Sequence, residues 1–281
     1  MNVKFWGVRG SVPAAQPQMA GYGGNTSCVE VCGPDPRHVV VLDAGTGICA
    51  LGGQMAATVE RVDVLLSHLH MDHILGLGFF EALFRPDVEV HIWGPSSASM
   101  DLRGRLARYL SPPLFPVRLR DLPCRLTLHD VPLGAFDIPG LSVRASLVCH
   151  PGLTVGYRLE EASQSLVYLP DHEPALGAHR FPGRPEWTSG YDLAHEATVL
   201  IHDAQYDDAE YSVRVGWGHS RVDDAKRFAA FAGVGRLVAF HHDPRHDDKT
   251  LEGWYGPDGT EMVVDGIPVW AAHEGDLLAV G

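Results

Sequence analysis

The chain contains little cysteine, few positive charges and no long apolar stretch. Its five cysteines among 281 residues are scattered and odd in number, which argues against a disulfide framework and for a reducing compartment. No apolar run approaches the roughly 20 residues that a membrane-spanning helix needs. Residues Met1–Trp6 have the pattern of a first strand and not of a signal peptide. We therefore expect a cytoplasmic protein with no membrane partner.

The charge balance is acidic, with 35 Asp and Glu against 22 Lys and Arg, for a formal net charge of −13. Binding to long nucleic acid depends on neutralising phosphates with basic side chains, so we expect it to be disfavoured. A small anionic substrate remains compatible with this charge, because bound metal ions would make a pocket locally positive.

Apolar runs and turn residues indicate the fold class. Strands predominate in each half of the chain, and helix–strand alternation recurs near the middle and the end. This pattern favours an α/β (α+β) fold with two packed sheets and helices outside over a doubly wound parallel sheet. No repeat, low-complexity segment or linker stands out, so residues 1–281 are expected to form one domain. The oligomeric state stays open, with a homodimer as one alternative.

The individual elements follow from the same patterns. The main predicted strands are Val3–Val8, Ser27–Val31, Val39–Leu42, Val88–Trp93, Arg125–Leu128, Leu141–Val148, Leu153–Leu159, Ser165–Leu169, Val199–His202, Leu237–Phe240 and Val269–Val280. The predicted helices are Gly47–Ala57, a segment from Leu75 to Phe84, Ser99–Tyr109 and Asp223–Ala232. Glu173–Gly190, rich in Pro and Gly, is a candidate lid.

The most informative segment is Ser67–His73, which carries His68, His70, Asp72 and His73 directly after an apolar run. Imidazoles at alternate positions of an extended backbone point to the same side and can bind one metal ion together. Asp72 and His73 come where the chain turns, so they face a second, neighbouring position. The order H-x-H-x-D-H after a strand therefore predicts a pair of divalent ions that activate water.

Three more ligand-type residues follow apolar runs in the same way. They are His150, Asp171 and His241. We expect His68, His70 and His150 at one ion and Asp72, His73 and His241 at the other, with Asp171 bridging. Zn and Mn are the first candidates for the two divalent ions, and Fe is a further one.

This spaced set of ligands resembles the metallo-β-lactamase superfamily over essentially the whole chain. The resemblance implies a four-layer αββα sandwich and a binuclear metal-dependent hydrolase. The opening segments, Gly7–Pro13 and Tyr22–Ser27, together resemble a narrower branch. That branch includes the phosphoribosyl cyclic phosphodiesterases and the tRNA 3′-processing endonuclease.

Two later segments, Leu200–Gln205 and Gly218–Ser220, are similar to stretches of that branch in which a carboxylate orients a histidine beside the scissile phosphate. The resemblance implies that Asp203 pairs with His219, although the branch has the longer Glu at the first position. His219, with Asp203 and Asp72, would then form the catalytic group, with His219 as the general acid.

Substrate contacts are expected from basic and amide side chains near these motifs. The candidates are Arg9, Asn25, Arg214 and Arg221. In contrast, His172, His202 and His242 are interpreted as supporting or structural residues, and residues 246–248 as a solvated acidic loop.

Three hydrolase functions compete, and we place first a phosphodiesterase acting on a small cyclic or linear phosphodiester. A tRNA 3′-end endonuclease is the second, but only 21 positions separate His150 from Asp171, which leaves no room for a protruding tRNA-binding arm. A carbonyl-ester hydrolase, such as a lactonase or β-lactamase, is the third. A non-enzymatic metal module would need a saturated site, and an oxygen-reducing di-iron protein would usually replace His70 by a carboxylate.

Overall fold

Strand segments that are apolar on both faces build the centre of the fold. The computed structural model describes residues 1–176, 181–257 and 261–281. Its strands are β1 (Asn2–Gly7), β2 (Cys28–Cys32), β3 (His38–Leu42), β4 (Arg61–Leu65), β5 (Glu89–Pro95), β6 (Arg125–Val131), β7 (Gly134–Ile138), β8 (Leu141–Leu147), β9 (Val155–Glu161), β10 (Gln164–Leu169), β11 (Val199–Asp203), β12 (Leu237–Phe240), β13 (Met262–Val264), β14 (Ile267–Ala271) and β15 (Leu277–Ala279).

Seven α-helices are assigned within those described ranges. They are α1 (Gly47–Gln54), α2 (Met71–Ile74), α3 (Leu102–Leu106), α4 (Tyr191–Ala194), α5 (Asp208–Ser212), α6 (Val222–Ala232) and α7 (Asp248–Tyr255). None of the helices in these ranges is long and apolar enough to cross a membrane.

The strands form two mixed sheets. The first has the order β15-β1-β2-β3-β4-β5-β6 and the second has the order β13-β14-β12-β11-β10-β9-β8-β7. β3, β4, β5 and β6 are mutually parallel in the first sheet, and β10, β11, β12 and β14 are parallel in the second. Parallel strands present their carboxyl ends at one edge of a sheet, and this arrangement determines where the site lies.

Three apolar layers hold the sheets and helices together. In β3, Val40 and Leu42 pack between the two sheets while Val39 and Val41 pack outward against helices, as the period of two requires. In β12, Val238 and Phe240 face the same inner layer, whereas Leu237 and Ala239 pack beneath α6. The order of layers is helix, sheet, sheet, helix. The predicted four-layer sandwich is therefore confirmed.

The segment after His73 is not the single helix that its apolar pattern predicts. α2 ends at Ile74 and is followed by two 3-10 turns, Leu77–Phe79 and Glu81–Phe84. The chain passes so close to Gly45 that a Cβ on Gly76 would lie 2.1 Å from the Gly45 carbonyl oxygen. This close approach of two backbones replaces a regular helix with tight turns.

Other expected elements shift for local reasons. α3 begins at Leu102 and not at Ser99, because the Asp101 carboxylate accepts the Gly104 N–H at 2.8 Å as the N-cap. The predicted terminal strand Val269–Val280 is two strands, with β14 in the second sheet and β15 in the first. A turn at Gly275, with φ +92°, separates them.

The interpretation of residues 246–248 as a solvated loop is wrong. Asp247 is the N-cap of α7 and accepts the Thr250 N–H at 2.9 Å, and Asp248 accepts the Gly21 N–H at 2.8 Å. His246 is buried and bonds to Glu210 at 3.0 Å. The lid candidate Glu173–Gly190 lies partly outside the described residues, because positions 177–180 are not among them.

Candidate active site

Five polar residues follow the carboxyl ends of parallel strands at one edge of the sandwich. Asp43 follows β3, and His68 comes shortly after β4 in the first sheet. In the second sheet Asp171 follows β10, Asp203 ends β11, and His241 follows β12. Since the two sheets pack face to face, these strand ends meet, and the side chains converge although they are far apart in the chain.

The first group of ligand atoms comes from His68, His70, His150 and Asp171, all within 4.8 Å of one another. Nε2 of His68 lies 3.7 Å from Oδ2 of Asp171, and Nε2 of His150 lies 3.6 Å from the same oxygen. His150 donates from Nδ1 to the carbonyl of Gly218 at 2.8 Å, which turns its Nε2 toward the group.

The second group comes from Asp72, His73, Asp171 and His241, again within 4.8 Å. Asp171 Oδ1 lies 2.9 Å from Nε2 of His73 and 3.1 Å from Nε2 of His241. Asp72 Oδ2 lies 3.2 Å from each of the same two nitrogens and accepts the N–H of Ser11 at 2.7 Å. Asp171 thus belongs to both groups through its two oxygens, so the structure brings together all seven residues in the division expected from sequence.

The donor atoms of both groups suit divalent cations. Nε2 of His68, Nε2 of His73 and Oδ1 of Asp171 are buried and form no hydrogen bond to the residues that the structure describes. His73 Nε2 and Asp171 Oδ1 lie only 2.9 Å apart, within the same group of ligand atoms. Buried polar atoms left without a partner are rare, and a bound ion explains them.

Charge in the two groups is tightly coupled. Burial alone would raise the pKa of Asp171, but the facing imidazoles of His241, His73 and His68 lower it well below its ordinary value. Burial would lower the pKa of His73, yet Asp171, Asp72 and Asp43 raise it well above its ordinary value. The carboxylates therefore stay ionised at neutral pH, which is the form that binds a metal ion.

Asp43 orients His73 through the ring nitrogen that faces away from the ligand groups, a role that was not expected from the sequence. Its carboxylate bonds Nδ1 of His73 at 2.7 Å and accepts from the Ser67 N–H, the Ser67 hydroxyl and the Tyr168 hydroxyl at 2.7, 2.8 and 2.9 Å. With Nδ1 of His73 held in this way, Nε2 is directed into the site. Asp43 also has φ +59°, a strained backbone of the kind that concentrates at functional sites.

His241 is held by the same combination of strain and hydrogen bonding. Its φ is +61°, and its Nδ1 lies 3.1 Å from Oε1 of Gln205, so the amide fixes the ring with Nε2 facing Asp72 and Asp171. Gln205 is buried, and nothing in the local sequence pattern marked it as a site residue.

His219 lies against both groups and pairs with Asp203. Its Nδ1 is 2.7 Å from Oδ2 of Asp203, and its ring stacks on His241 at 5.1 Å between centroids. Asp203 also accepts the N–H groups of Gln205 and Ser220, at 3.0 and 3.1 Å. Burial would lower the pKa of His219, but Asp203 above all raises it to about 9, so the imidazole is cationic at neutral pH.

Glu173 anchors the loop that carries His219. This buried carboxylate accepts from the Tyr211 hydroxyl at 2.6 Å and from the N–H groups of Gly216 and Gly218 at 3.1 and 3.0 Å. Gly218 has φ +87°, and a Cβ there would lie 2.4 Å from Nδ1 of His150. Only glycine fits this position, which joins the loop to a ligand histidine.

The candidate substrate-binding residues lie elsewhere or only indirectly near the site. Arg9 is fully buried and donates to the carbonyls of Gly23 and His246 at 2.8 and 2.7 Å, so it cannot reach a substrate and instead holds loops together. Asn25 donates from its side-chain amide to Glu274 at 2.9 Å. The burial of Arg9 contradicts its expected substrate contact, whereas the contact expected of Asn25 stays a prediction.

The remaining basic candidates differ. Arg221 forms ion pairs with Asp224 and Asp208, so it braces the surface around α6. Arg214 lies over the ring of Tyr206 at 5.1 Å, and Tyr206 contacts His219. Arg214 therefore borders the site through one intervening side chain.

The three histidines interpreted as structural are all fully buried. Nδ1 of His172 lies 2.9 Å from Nε2 of His202, and His242 Nε2 donates to the Ala272 carbonyl at 3.1 Å.

Comparisons with known proteins agree with this architecture. Residues 38–242 match the model of a protein family that is described as the β-lactamase superfamily domain. Ribonuclease Z from Myxococcus xanthus (strain DK1622) is 29% identical over 250 residues, which cover 73% of this chain and 80% of the relative.

Two solved structures share the fold across the chain. The short form of human tRNase Z superposes with a TM-score of 0.69 at 22% identity, covering 100% of both chains. A diphosphatase from the PhnP family superposes with a TM-score of 0.68 at 15% identity, covering 100% of this chain and 98% of that one.

Proposed function

The chain belongs to the metallo-β-lactamase superfamily and is a metal-dependent hydrolase, and we propose that its substrate is a small cyclic or linear phosphodiester. A cyclic nucleotide or a cyclic ribose phosphate is the substrate class we put first. The reaction is a direct attack of water on phosphorus, since no Ser or Cys nucleophile lies among the residues of the two groups.

The observation that carries the proposal is the His219–Asp203 pair beside the two ligand groups. Nδ1 of His219 bonds Asp203 at 2.7 Å, and the same nitrogen lies 3.9 Å from Oδ2 of Asp171. Cleavage of a phosphodiester releases an alkoxide, which needs a proton, whereas attack on a strained or activated carbonyl ester demands this less. A cationic imidazole fixed at the edge of the ligand groups supports the first chemistry.

His68, His70, His150 and Asp171 would hold one divalent ion, and Asp72, His73, His241 and Asp171 would hold the other. When bound, the two ions activate water and neutralise the negative charge of the phosphoryl oxygens. Zn and Mn fit the mixture of imidazole and carboxylate donors, and Fe is also compatible with it.

The chain's own residues would complete the reaction. Asp203 holds the His219 imidazole in one orientation by binding Nδ1, which leaves the proton on Nε2 free to move to the leaving oxygen. Hydrogen bonds from Gly218 to Glu173 and from His150 to Gly218 fix the distance between the loop that carries His219 and the ligand groups. Asp43 and Gln205 orient His73 and His241.

A tRNA 3′-end endonuclease is the second candidate, because the relative from Myxococcus xanthus is named ribonuclease Z. Two features weigh against it. Between His150 and Asp171 the chain makes only the hairpin of β9 and β10, with no protruding arm for RNA. The formal net charge of −13 also provides little attraction for a long polyanion. A carbonyl-ester hydrolase is the third candidate, and the His219–Asp203 pair disfavours it.

A substrate panel tests the proposal. The protein reconstituted with Zn or Mn would be assayed on cyclic nucleotides, nitrophenyl phosphodiesters, lactones and precursor tRNA. We expect the highest kcat/KM on a small phosphodiester. Cleavage of precursor tRNA with a higher kcat/KM than any small diester would favour the endonuclease, and turnover confined to lactones would overturn both phosphodiester functions.

A further inference from the structure

A cavity of about 230 Å³ adjoins the first ligand group. Apart from the metal ligands His68 and His70, its lining residues have no role in the mechanism described above. Its walls are formed by His68, Leu69, His70, Ser97, Arg105, Pro151, Gly152 and Leu153. A water molecule occupies about 30 Å³ of liquid, so the cavity has room for a phosphate group together with some of its hydration. Since two candidate ligands form one wall, whatever occupies the cavity is adjacent to the reacting centre.

The charge of this cavity contrasts with that of the whole protein. The chain has a formal net charge of −13, yet no carboxylate lines the cavity, and its one permanently charged side chain is Arg105. Arg105 has only 15% of its side chain exposed and is fixed in place: Nε donates to the Asp101 carbonyl at 3.4 Å, and Nη2 donates to the Pro95 carbonyl. A guanidinium held in this way loses little conformational entropy on binding an anion.

Arg105 also has a donor group to spare. Asp130 Oδ1 lies 3.7 Å from Nη2, so it balances the charge only partly, and Asp130 itself is half exposed. Within residues 1–176, 181–257 and 261–281, Nη1 forms no hydrogen bond. The hydroxyl of Ser97 lies in the same wall. It accepts the Ser99 N–H at 3.3 Å and lies 3.1 Å from the Ser99 hydroxyl, so its own proton can be donated to a bound anion if the Ser99 hydroxyl acts as donor to it.

We propose that this cavity is a second anion subsite, in which Arg105 and Ser97 bind a phosphate group of the substrate other than the one that is cleaved. The inference rests on the proposed phosphodiesterase function and narrows its substrate class to phosphodiesters that carry an additional phosphate. That phosphate is either a terminal monoester or the next diester of a short oligonucleotide, because both present the same anionic oxygens to a guanidinium.

Binding measurements on the metal-loaded protein test the subsite without relying on turnover. Calorimetric titration would compare adenosine 3′-monophosphate with adenosine 3′,5′-bisphosphate, which differ by one phosphate monoester. We expect the bisphosphate to bind about tenfold more tightly, as one charge-assisted contact warrants. ApAp with a phosphorothioate at its internal diester, which slows cleavage of that linkage and replaces the 5′ monoester, identifies the source. Equal tightening means any phosphate is accepted, and none means a monoester is required.

The variant Arg105→Gln should abolish the preference for the bisphosphate, whereas Arg103→Gln, two residues away on α3 and exposed, should retain it. Leu153→Glu is a second variant at a half-exposed wall position, where folding is not at risk; its carboxylate should also remove the preference. A wild-type protein that binds both nucleotides equally, or a preference that survives Arg105→Gln and Leu153→Glu, overturns the subsite.

The two proposals can fail separately. A protein that cleaves phosphodiesters but shows no preference for the bisphosphate contradicts the subsite alone. A protein that cleaves no phosphodiester but still shows the Arg105-dependent preference contradicts the proposed function alone.

Discussion

The carboxylate of Glu173 accepts the backbone N–H of Gly218 at 3.0 Å, directly before the candidate general acid His219. The carbonyl of the same glycine accepts from Nδ1 of His150, so this one residue couples the acid to a ligand histidine. Glu173 is thus a positioning residue whose effect should appear in the chemical step.

Glu173→Gln should lower kcat by about ten- to a hundredfold with little change in KM, because the amide NH2 group would face backbone N–H donors and shift the loop. Steady-state kinetics with a diester of poor leaving group measures this split. Glu160→Gln, at an exposed ion pair with Arg158, is the matched control. An unchanged kcat, or a loss of bound metal equal to the loss of activity, would contradict the positioning role.

His219→Ala should slow diesters with poor leaving groups by about a hundredfold or more and affect nitrophenyl diesters far less, since an activated leaving group needs no proton donor. Comparing kcat/KM for a dinucleoside phosphate and bis(4-nitrophenyl) phosphate measures the difference. His195→Ala, an exposed histidine that stacks on Tyr191, is the control. Equal losses on both substrates would reject the general-acid role.

Asp171→Ala should reduce turnover below detection, because the carboxylate contributes an oxygen to each ligand group. Circular dichroism should show a retained fold, while elemental analysis should show fewer bound ions than in the wild type. Asp137→Ala, at an exposed carboxylate in β7, should change neither. A variant that keeps its activity would remove Asp171 from the site.

The purified protein, after reconstitution, should carry about two divalent ions per chain, and chelation should lower its Tm, since ions that bind only the folded state stabilise it. Elemental analysis and thermal unfolding with and without chelator measure both effects. One ion or none per chain after reconstitution with Zn and Mn would argue against the binuclear arrangement.

Asp63 should make folding stability depend on pH. Burial would raise the pKa of this carboxyl, but His38, Arg61 and Trp93, whose nitrogens lie 2.7–2.8 Å from its oxygens, lower the pKa far below its ordinary value. A depressed pKa in the folded state stabilises the protein above the unfolded-state pKa of about 3.9, and this contribution is lost as the pH falls below it.

Asp63→Asn should therefore lower the free energy of unfolding at neutral pH by about 2–3 kcal/mol and flatten its fall between about pH 5 and pH 2. Urea denaturation at a series of pH values measures this. Asp87→Asn, at a solvent-exposed ion pair with Arg85, should lower the free energy of unfolding far less. If both variants lost a similar amount of unfolding free energy, burial of the hydrogen bonds to Asp63 would contribute nothing to stability.

The ligand residues could be predicted from sequence because each follows a recognisable apolar strand. His150, Asp171 and His241 follow β8, β10 and β12, which run in the same direction within the second sheet, so these strand ends lie at one edge. Asp43 also follows an apolar strand, but that position does not reveal that it supports a ligand, and Glu173 and Gln205 show no such pattern. They act through hydrogen bonds to residues far away in the chain, and no local pattern distinguishes a carboxylate behind an imidazole from one on the surface.

The errors have similar physical causes. Arg9 occurs in a motif-like loop, and its burial depends on carbonyl groups from residues 243 and 246, which the local sequence cannot indicate. The helix expected after His73 breaks because Gly76 approaches Gly45. Periodicity predicted the apolar face of that segment correctly, but the contact between two distant backbones decided its conformation.

The two ligand groups draw on both sheets, with His68 and His73 coming from the first and Asp171 and His241 from the second. Cations held there would act as crosslinks between the two halves of the chain, closing long loops that must otherwise open for the sandwich to come apart. The lifetime of the folded molecule, and not only its chemistry, would then depend on how fully the cell supplies it with metal.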